Sequence, residues 1–301
     1  MKTFIKSLYT FFTPLVLSLV LFLTALALIS KVVTNRSSQY DFDKNIEIVF
    51  MGDSHITNAV IDSLIPKALN LSKRSEPYYY TFQRLKFLNK NSKIRKVILG
   101  YSYHNISSYY DEFINGNLST VMPHKLFFIM ELKEQLRVLN WNKKKLVLVL
   151  KKIILSIRYQ YLDKKSKKLD YWFFDGYYNP FKASKVNLKS LKKRIKYQFY
   201  LDKKVIKFSD LNILYLNKII SYCKQNGIDL FLLSTPLHKQ YVNRVPGIYK
   251  TKLLNIPLKN DITLINLENL NLSDSSFVPD GDHVTFKGAL ITTTALIEKL
   301  N

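Results

Sequence analysis

The chain has a single cysteine, Cys223, among 301 residues. That excludes an intrachain disulfide and any metal site built on paired thiolates, and it leaves the redox compartment undecided. Acidic residues are also scarce, 22 Asp and Glu against 46 Lys and Arg, for a formal net charge of +24. Such an excess favours an anionic partner or surface, with a merely solvated lysine-rich face as the alternative. No nucleic-acid-binding motif accompanies the charge, and lysine outnumbers the arginine that base reading favours, so nucleic acid is not expected as a partner. Internal repeats are lacking too. Hydrophobic residues make up 47% of the chain, enough for a sizeable core and too many for disorder as the main state.

Charge is missing altogether between Lys6 and Lys31. This apolar run exceeds the roughly 20 residues that a membrane-spanning helix needs. Lys2 and Lys6 precede it, so the positive-inside tendency keeps the short N-terminus in the cytoplasm and exports the rest. Ala25-Leu26-Ala27 has the form of a signal-peptidase site, but the run is long for a signal h-region and continues through Leu28 and Ile29. An uncleaved single-pass anchor over 1–33 is expected, with Pro14 early in the span. The bulk of the chain is then extracytoplasmic, reached through a polar linker over 34–45.

Beyond the linker, apolar runs alternate with helical periodicity. Ile48–Met51 and Val97–Leu99 each run into a glycine and read as buried strands. Between them, residues 78–91 carry Phe82, Leu85 and Leu88 at helical spacing, and residues 58–72 mix helical and turn signals. Residues 107–206 differ: they are rich in Lys and Tyr, and their apolar pattern is helical. Within them, 143–162 holds Leu146–Leu150 and Ile153–Leu155 around Lys151-Lys152, which suits a core-facing helix of an insertion or a basic amphipathic helix resting on lipid. Residues 170–180 form an aromatic loop.

The strand–helix pattern then resumes. A helix follows Ser209 or Asp210 as its cap and ends at Gly227, a strand ends at Ser234-Thr235-Pro236, and another short strand covers 261–269. In the C-terminal helix, Ala289, Leu290, Ala295, Leu296 and Leu300 can face a core. The order predicts an α/β fold, a three-layer sandwich on a central parallel sheet. It would span 46–301 with the helical insertion at about 107–206.

In such a sheet, ligand sites form beyond the carboxyl ends of the strands. Four polar tips fall there: Gly52-Asp53-Ser54-His55, Gly100 to Asn105, Ser234 to His238, and Asp280-Gly281-Asp282-His283. They hold four of the five histidines, His55, His104, His238 and His283. A serine hydroxyl needs a base to become a nucleophile, and a histidine needs a carboxylate to fix its tautomer. Asp280 and His283, three apart in a turn that opens a helix, can point to the same side. Ser54 is then either a nucleophile at a strand end or a helix N-cap. Asp53 suits a turn former. Asp282 is an alternative partner for His283, though adjacent residues seldom point the same way. These histidines show no recognised metal-ligand spacing, and no cofactor is expected.

Gly52-Asp53-Ser54, with Asp280-x-x-His283 near the C-terminus, resembles the first and last blocks of the SGNH (GDSL-like) hydrolase and acyltransferase superfamily. The resemblance covers about 46–105 and 207–301. It implies a serine nucleophile at Ser54, a base at His283 and its partner at Asp280. It also implies an oxyanion contact from Asn105, with Ser102 or His104 as alternatives; beside the resemblance, His55 and His104 are candidate substrate contacts, and His238 either lines the cleft or faces solvent. Two departures stand out: Asn105 is out of register with the family's asparagine, and no glycine lies between Gly52 and Gly100 to supply the second block. A backbone N–H within residues 70–77 could take that glycine's place.

The layout of anchor, exported domain and insertion is similar to envelope-modifying proteins of the alginate O-acetylation and teichoic-acid D-alanylation type. It implies ester hydrolysis or O-acyl transfer on a cell-envelope glycan or its acyl donor, beside a polytopic membrane O-acyltransferase. A non-catalytic protein of the same fold, binding an anionic glycan or a membrane partner, is the alternative.

Overall fold

The computed structural model describes residues 2–37, 46–92, 94–161, 178, 180–182 and 185–300. Linker residues 38–45 and most of the aromatic loop, all but Tyr178 and Pro180, lie outside the described residues.

Five parallel strands form the central sheet: β1 (Ile48–Met51), β2 (Ala68–Asn70), β3 (Lys96–Gly100), β6 (Asp229–Ser234) and β7 (Leu264–Asn266), in the order β2-β1-β3-β6-β7. A two-stranded hairpin, β4 (Tyr200–Leu201) and β5 (Lys204–Val205), stands apart from it. Because side chains alternate along a strand, one sheet feeds two cores. Val49, Met51, Val97, Leu99 and Leu232 pack with Leu85 and Leu88 of the Tyr78–Asn91 helix and Leu216 and Ile219 of the Asp210–Gln225 helix. Phe50, Ile98, Leu233 and Ile265 face the other way, onto Ile56, Val60 and Leu296. The result is the expected three-layer α/β sandwich.

The strand order is that of the flavodoxin-like doubly wound sheet, which reverses direction between β1 and β3. That switch point falls between the two glycine-ended strands. Gly52 has φ +133°, and a Cβ there would lie 3.1 Å from the Gly100 nitrogen. A Cβ on Gly100 would meet Ile56 Cγ1 at 2.5 Å, so the helix carrying Ser54 sits directly against the end of β3.

Two sequence expectations change. The mixed signals over 58–72 conceal the edge strand β2, whose three residues are too few to show an alternation and are fixed by pairing with β1. Leu290 does not face a core: it is 43% exposed, while Ala289 and Leu296 on the same helix are fully buried.

Within 107–206 the described chain is largely helical, with its longer helices at Leu132–Trp141, Leu146–Tyr161 and Leu188–Phe199. Phe127, Phe128, Val138, Leu191 and Phe199 join the same core as β1, β3 and β6. The N-terminal helix runs over Lys2–Ser37, past the expected boundary at 33, with Pro14 inside it. Its Tyr9–Val32 stretch is long and apolar enough to cross a membrane. Leu26 is buried, the helix packs on Phe127–Ile129, and Gln135 Nε2 donates to Ser30 Oγ at 2.7 Å.

Candidate active site

Ser54 is the first residue of the Ser54–Ala59 helix rather than its cap. Asp53 is the cap, its Oδ1 accepting the His55 N–H at 2.9 Å. The Ser54 hydroxyl is thereby free to turn to His283, with Oγ and Nε2 2.8 Å apart. On the far side of the ring, Asp280 Oδ2 accepts from Nδ1 at 3.0 Å. The three-residue spacing works because Asp280 divides its oxygens. Oδ1 takes the backbone N–H groups of Asp282 (2.9 Å) and His283 (3.2 Å), and Oδ2 holds the ring. Gly281, at φ +67°, allows the turn between them. Burial alone would raise the Asp280 pKa, but its hydrogen bond to and attraction for His283 lower it, which keeps an ionised acceptor behind the imidazole.

A second imidazole–carboxylate cluster lies behind the first. Asp53 Oδ2 accepts from His104 Nε2 (2.6 Å), from Asn105 Nδ2 (2.8 Å) and from the Tyr110 hydroxyl. Burial opposes charge on Asp53, yet His104, His55 and the Tyr110 hydroxyl lower its pKa. The His104 pKa is lowered as well, by burial and the neighbouring His55, which for an imidazole favours the neutral form. Its Nδ1 is buried without a hydrogen-bond partner, which suits a neutral ring donating through Nε2. The His55 ring stands between the clusters, its centroid 4.2 Å from that of His104 and 4.9 Å from that of His283.

His55 meets Thr235 Oγ1 through Nδ1 at 3.2 Å and Asp282 Oδ1 through Nε2 at 3.1 Å. Burial disfavours charge on His55, but the Asp282 carboxylate outweighs it and the pKa is raised. Asp282 is lowered well below the ordinary carboxylate value, against its burial, by His55 and Arg194. Its Oδ2 accepts from Arg194 Nε at 2.6 Å and Gln198 Nε2 at 2.9 Å, both on the Leu188–Phe199 helix.

The structure therefore brings Ser54, His283, Asp280, His55, His104 and Asn105 to one sheet edge. Asp280, not Asp282, partners His283. Asn105 turns its amide onto Asp53, and its Oδ1 accepts the Ser102 N–H at 2.8 Å, so Ser102 and Asn105 brace the turn after β3. His238 is buried beside the Asp280–His283 loop rather than solvent-facing. Its backbone N–H donates to Gly281 O at 3.0 Å, and its Nε2 meets Asp274 at 3.0 Å. The 70–77 segment does border the serine: Lys73 N donates to Gly52 O at 2.8 Å, and Thr57 and Ser72 hydroxyls lie 3.0 Å apart. A fully buried Arg84–Glu76 pair stiffens it, with Arg84 Nη2 also donating to Leu71 O at 2.6 Å.

Tyr110, Arg194, Gln198 and Phe181 have no counterpart in the sequence reading. Phe181 sets its ring edge-on to His283 at 5.5 Å, and the Arg74 guanidinium lies 4.8 Å over the Phe181 ring. One signal was available. Arg194 is the sole arginine in a helix of lysines, with Gln198 one turn later on the same face.

By distance alone, His55, Asp282 and His283 each place a possible metal-ligand atom within 4.8 Å of one another. Here those residues already form the His55–Asp282 ion pair and the His283 contacts to Ser54 and Asp280.

No protein-family model and no curated protein matches the chain. Among solved structures, it is similar at TM-score 0.40 and 8% identity to a lipolytic protein of the G-D-S-L family from Desulfitobacterium hafniense, over 84% of this chain and 98% of that one. A GDSL-like lipase from Bacteroides thetaiotaomicron is similar at TM-score 0.40 and 11% identity, over 86% of this chain and 90% of that one.

Proposed function

We propose that this chain is an SGNH-like serine esterase or O-acyltransferase, anchored by its N-terminal helix and facing the outside of the membrane. The observation that carries the reading is the Ser54–His283–Asp280 line, with contacts of 2.8 and 3.0 Å at the switch point. Ser54 Oγ attacks the acyl carbonyl while its proton passes to His283 Nε2. Asp280 holds the ring and stabilises the imidazolium. Collapse of the tetrahedral intermediate breaks the ester bond, and His283 returns the proton to the departing alcohol. Water or a sugar hydroxyl, deprotonated by the same histidine, then takes the acyl group from Ser54.

Oxyanion donors are proposed at the Ser54 N–H, which as a first helical N–H has no acceptor within its own helix, and at a backbone N–H of the Lys73–Glu76 turn. The extracytoplasmic position and the basic insertion support an envelope glycan or its acyl donor as substrate, with a polytopic O-acyltransferase as a partner in transfer. A second reading, a non-catalytic glycan-binding protein, draws support from Asn105, whose amide is turned onto Asp53.

Turnover of a short-chain aryl ester by the full chain in detergent separates the two readings. The enzyme reading predicts release of the aryl alcohol that Ser54→Ala reduces at least about a thousandfold. Equal release by the two proteins would support the binding reading instead.

A further inference from the structure

Over its described side chains, 146–155, the Leu146–Tyr161 helix buries one stripe of its apolar surface. Val149 and Ile153 are in the core, at 1% and 3% exposure. On the opposite side lie Val147 at 83%, Ile154 at 63%, Leu148 and Leu155, with exposed Lys151 among them. A helix on a protein surface normally turns polar residues outward, so a helix apolar on both sides wants a second cover. Lys143 and Lys144, also exposed, precede its first turn.

The placement of this helix says what the cover is. It packs against Pro123–Leu126, which runs straight into Phe127–Ile129, the turn on which the N-terminal helix docks. A span begun at Tyr9 uses about 20 residues, so Leu26, Ile29 and Ser30 lie at its outer edge. Leu26 is buried there and Ser30 accepts from Gln135, which fixes the docking turn at the level where the span leaves the bilayer. Leu132 and Leu136, on the helix that carries Gln135, are also more than 40% exposed.

We infer that the exposed face of the Leu146–Tyr161 helix lies in the lipid interface, a second membrane contact beside the span. It rests on the reading of the N-terminal helix as a membrane anchor. Val147, Leu148, Ile154 and Leu155 enter the headgroup boundary, while Lys143, Lys144 and Lys151 reach anionic headgroups. This contact gives the domain a second point on the bilayer and fixes the height of Ser54 above it.

Cys223 is the sole cysteine and is buried, so an introduced cysteine takes a fluorophore selectively. The test uses full-length Ile154→Cys, Leu19→Cys and Leu258→Cys proteins in nanodiscs of phosphatidylcholine and phosphatidylglycerol, quenched by nitroxide-labelled lipids. Leu258 is 78% exposed on the Gly247–Asn260 helix and serves as the off-membrane reference. Position 19 reports the span itself. Shallow nitroxides should quench position 154 at least about three times more than position 258. Quenching at 19 with none above reference at 154 overturns the inference and leaves the anchor standing. Absence of quenching at 19 overturns the anchor, and the inference with it. A disulfide-linked homodimer through position 154 would assign the face to a second copy and overturn the lipid contact.

Discussion

Two imidazole–carboxylate pairs stand on one sheet edge, alike in chemistry and unlike in exposure. Asp53–His104 is sealed, with side chains 1% and 2% exposed, and the aspartate is saturated by three side-chain donors and a backbone N–H. Asp280–His283 has an aspartate side chain 25% exposed and leaves His283 Nε2 to a serine hydroxyl. The pair itself does not make a base. What differs is the second ring nitrogen: on His283 it faces the Ser54 hydroxyl, and on His104 it faces the protein interior. The sealed pair fixes the strand-end turn on which Ser54 stands, and the open pair contacts the Ser54 hydroxyl, the contact on which the proposed chemistry rests.

Removing each pair in turn breaks the comparison most sharply. His283→Ala should lower ester turnover at least about a thousandfold and leave the melting temperature nearly unchanged, measured by activity and tryptophan fluorescence on one preparation. Asp53→Ala should do the reverse. It strips a helix cap and three buried donors of their acceptor, a loss of about 3–5 kcal/mol that lowers the melting temperature by roughly 10 °C. If Asp53→Ala melts normally and only activity falls, the sealed pair belongs to the chemistry and the distinction collapses.

The bridge between the clusters gives an intermediate effect. Arg194→Ala leaves Asp282 with Gln198 and His55 and should cost about 2 kcal/mol, read as a lower melting temperature. Arg194→Lys should recover only part of it, because a lysine cannot copy the guanidinium geometry.

Acid should act on the same groups. Asp53 and Asp282 are held below the ordinary carboxylate value of 3.8 in the folded protein. The stability they contribute is complete above that value and is lost as the pH falls below it. His55 carries the opposite sign. Its raised pKa gives a contribution complete below 6.5 and lost as the pH rises through the folded value. Melting temperature should therefore drop on both the acid and alkaline sides, and His55→Gln should flatten the alkaline limb and, by removing a charge that lowers Asp53 and Asp282, shrink the acid limb as well. The smallest effect is expected at His238–Asp274, where the aspartate side chain is 74% exposed. Asp274→Asn should shift stability by no more than about 0.5 kcal/mol.

The open pair was the more legible of the two. Ser54 follows a buried strand and a glycine, and Asp280 and His283 lie within one turn, so local spacing carries their geometry. The sheet was readable for the same reason wherever an apolar run stops at a turn signal. β2 was not, because its strand character comes from its partner. Asp53 read correctly as a turn former, but its three side-chain donors did not show, since Tyr110 is 57 residues away and approaches only through the insertion. Arg194 and Gln198 were hidden likewise: a lone arginine among lysines marks a face of the helix, but their partner Asp282 is 88 and 84 residues distant and local spacing does not name it. Leu290 misled because a helical stripe gives a face, while the edge of that face is set by neighbours.

The claim that Ser54 is an activated nucleophile is tested most directly with a fluorophosphonate probe on the full-length protein, read by intact mass and peptide mapping. The account predicts a single adduct on Ser54 that His283→Ala abolishes. A folded wild-type protein that takes no adduct, or takes it equally without His283, would contradict it.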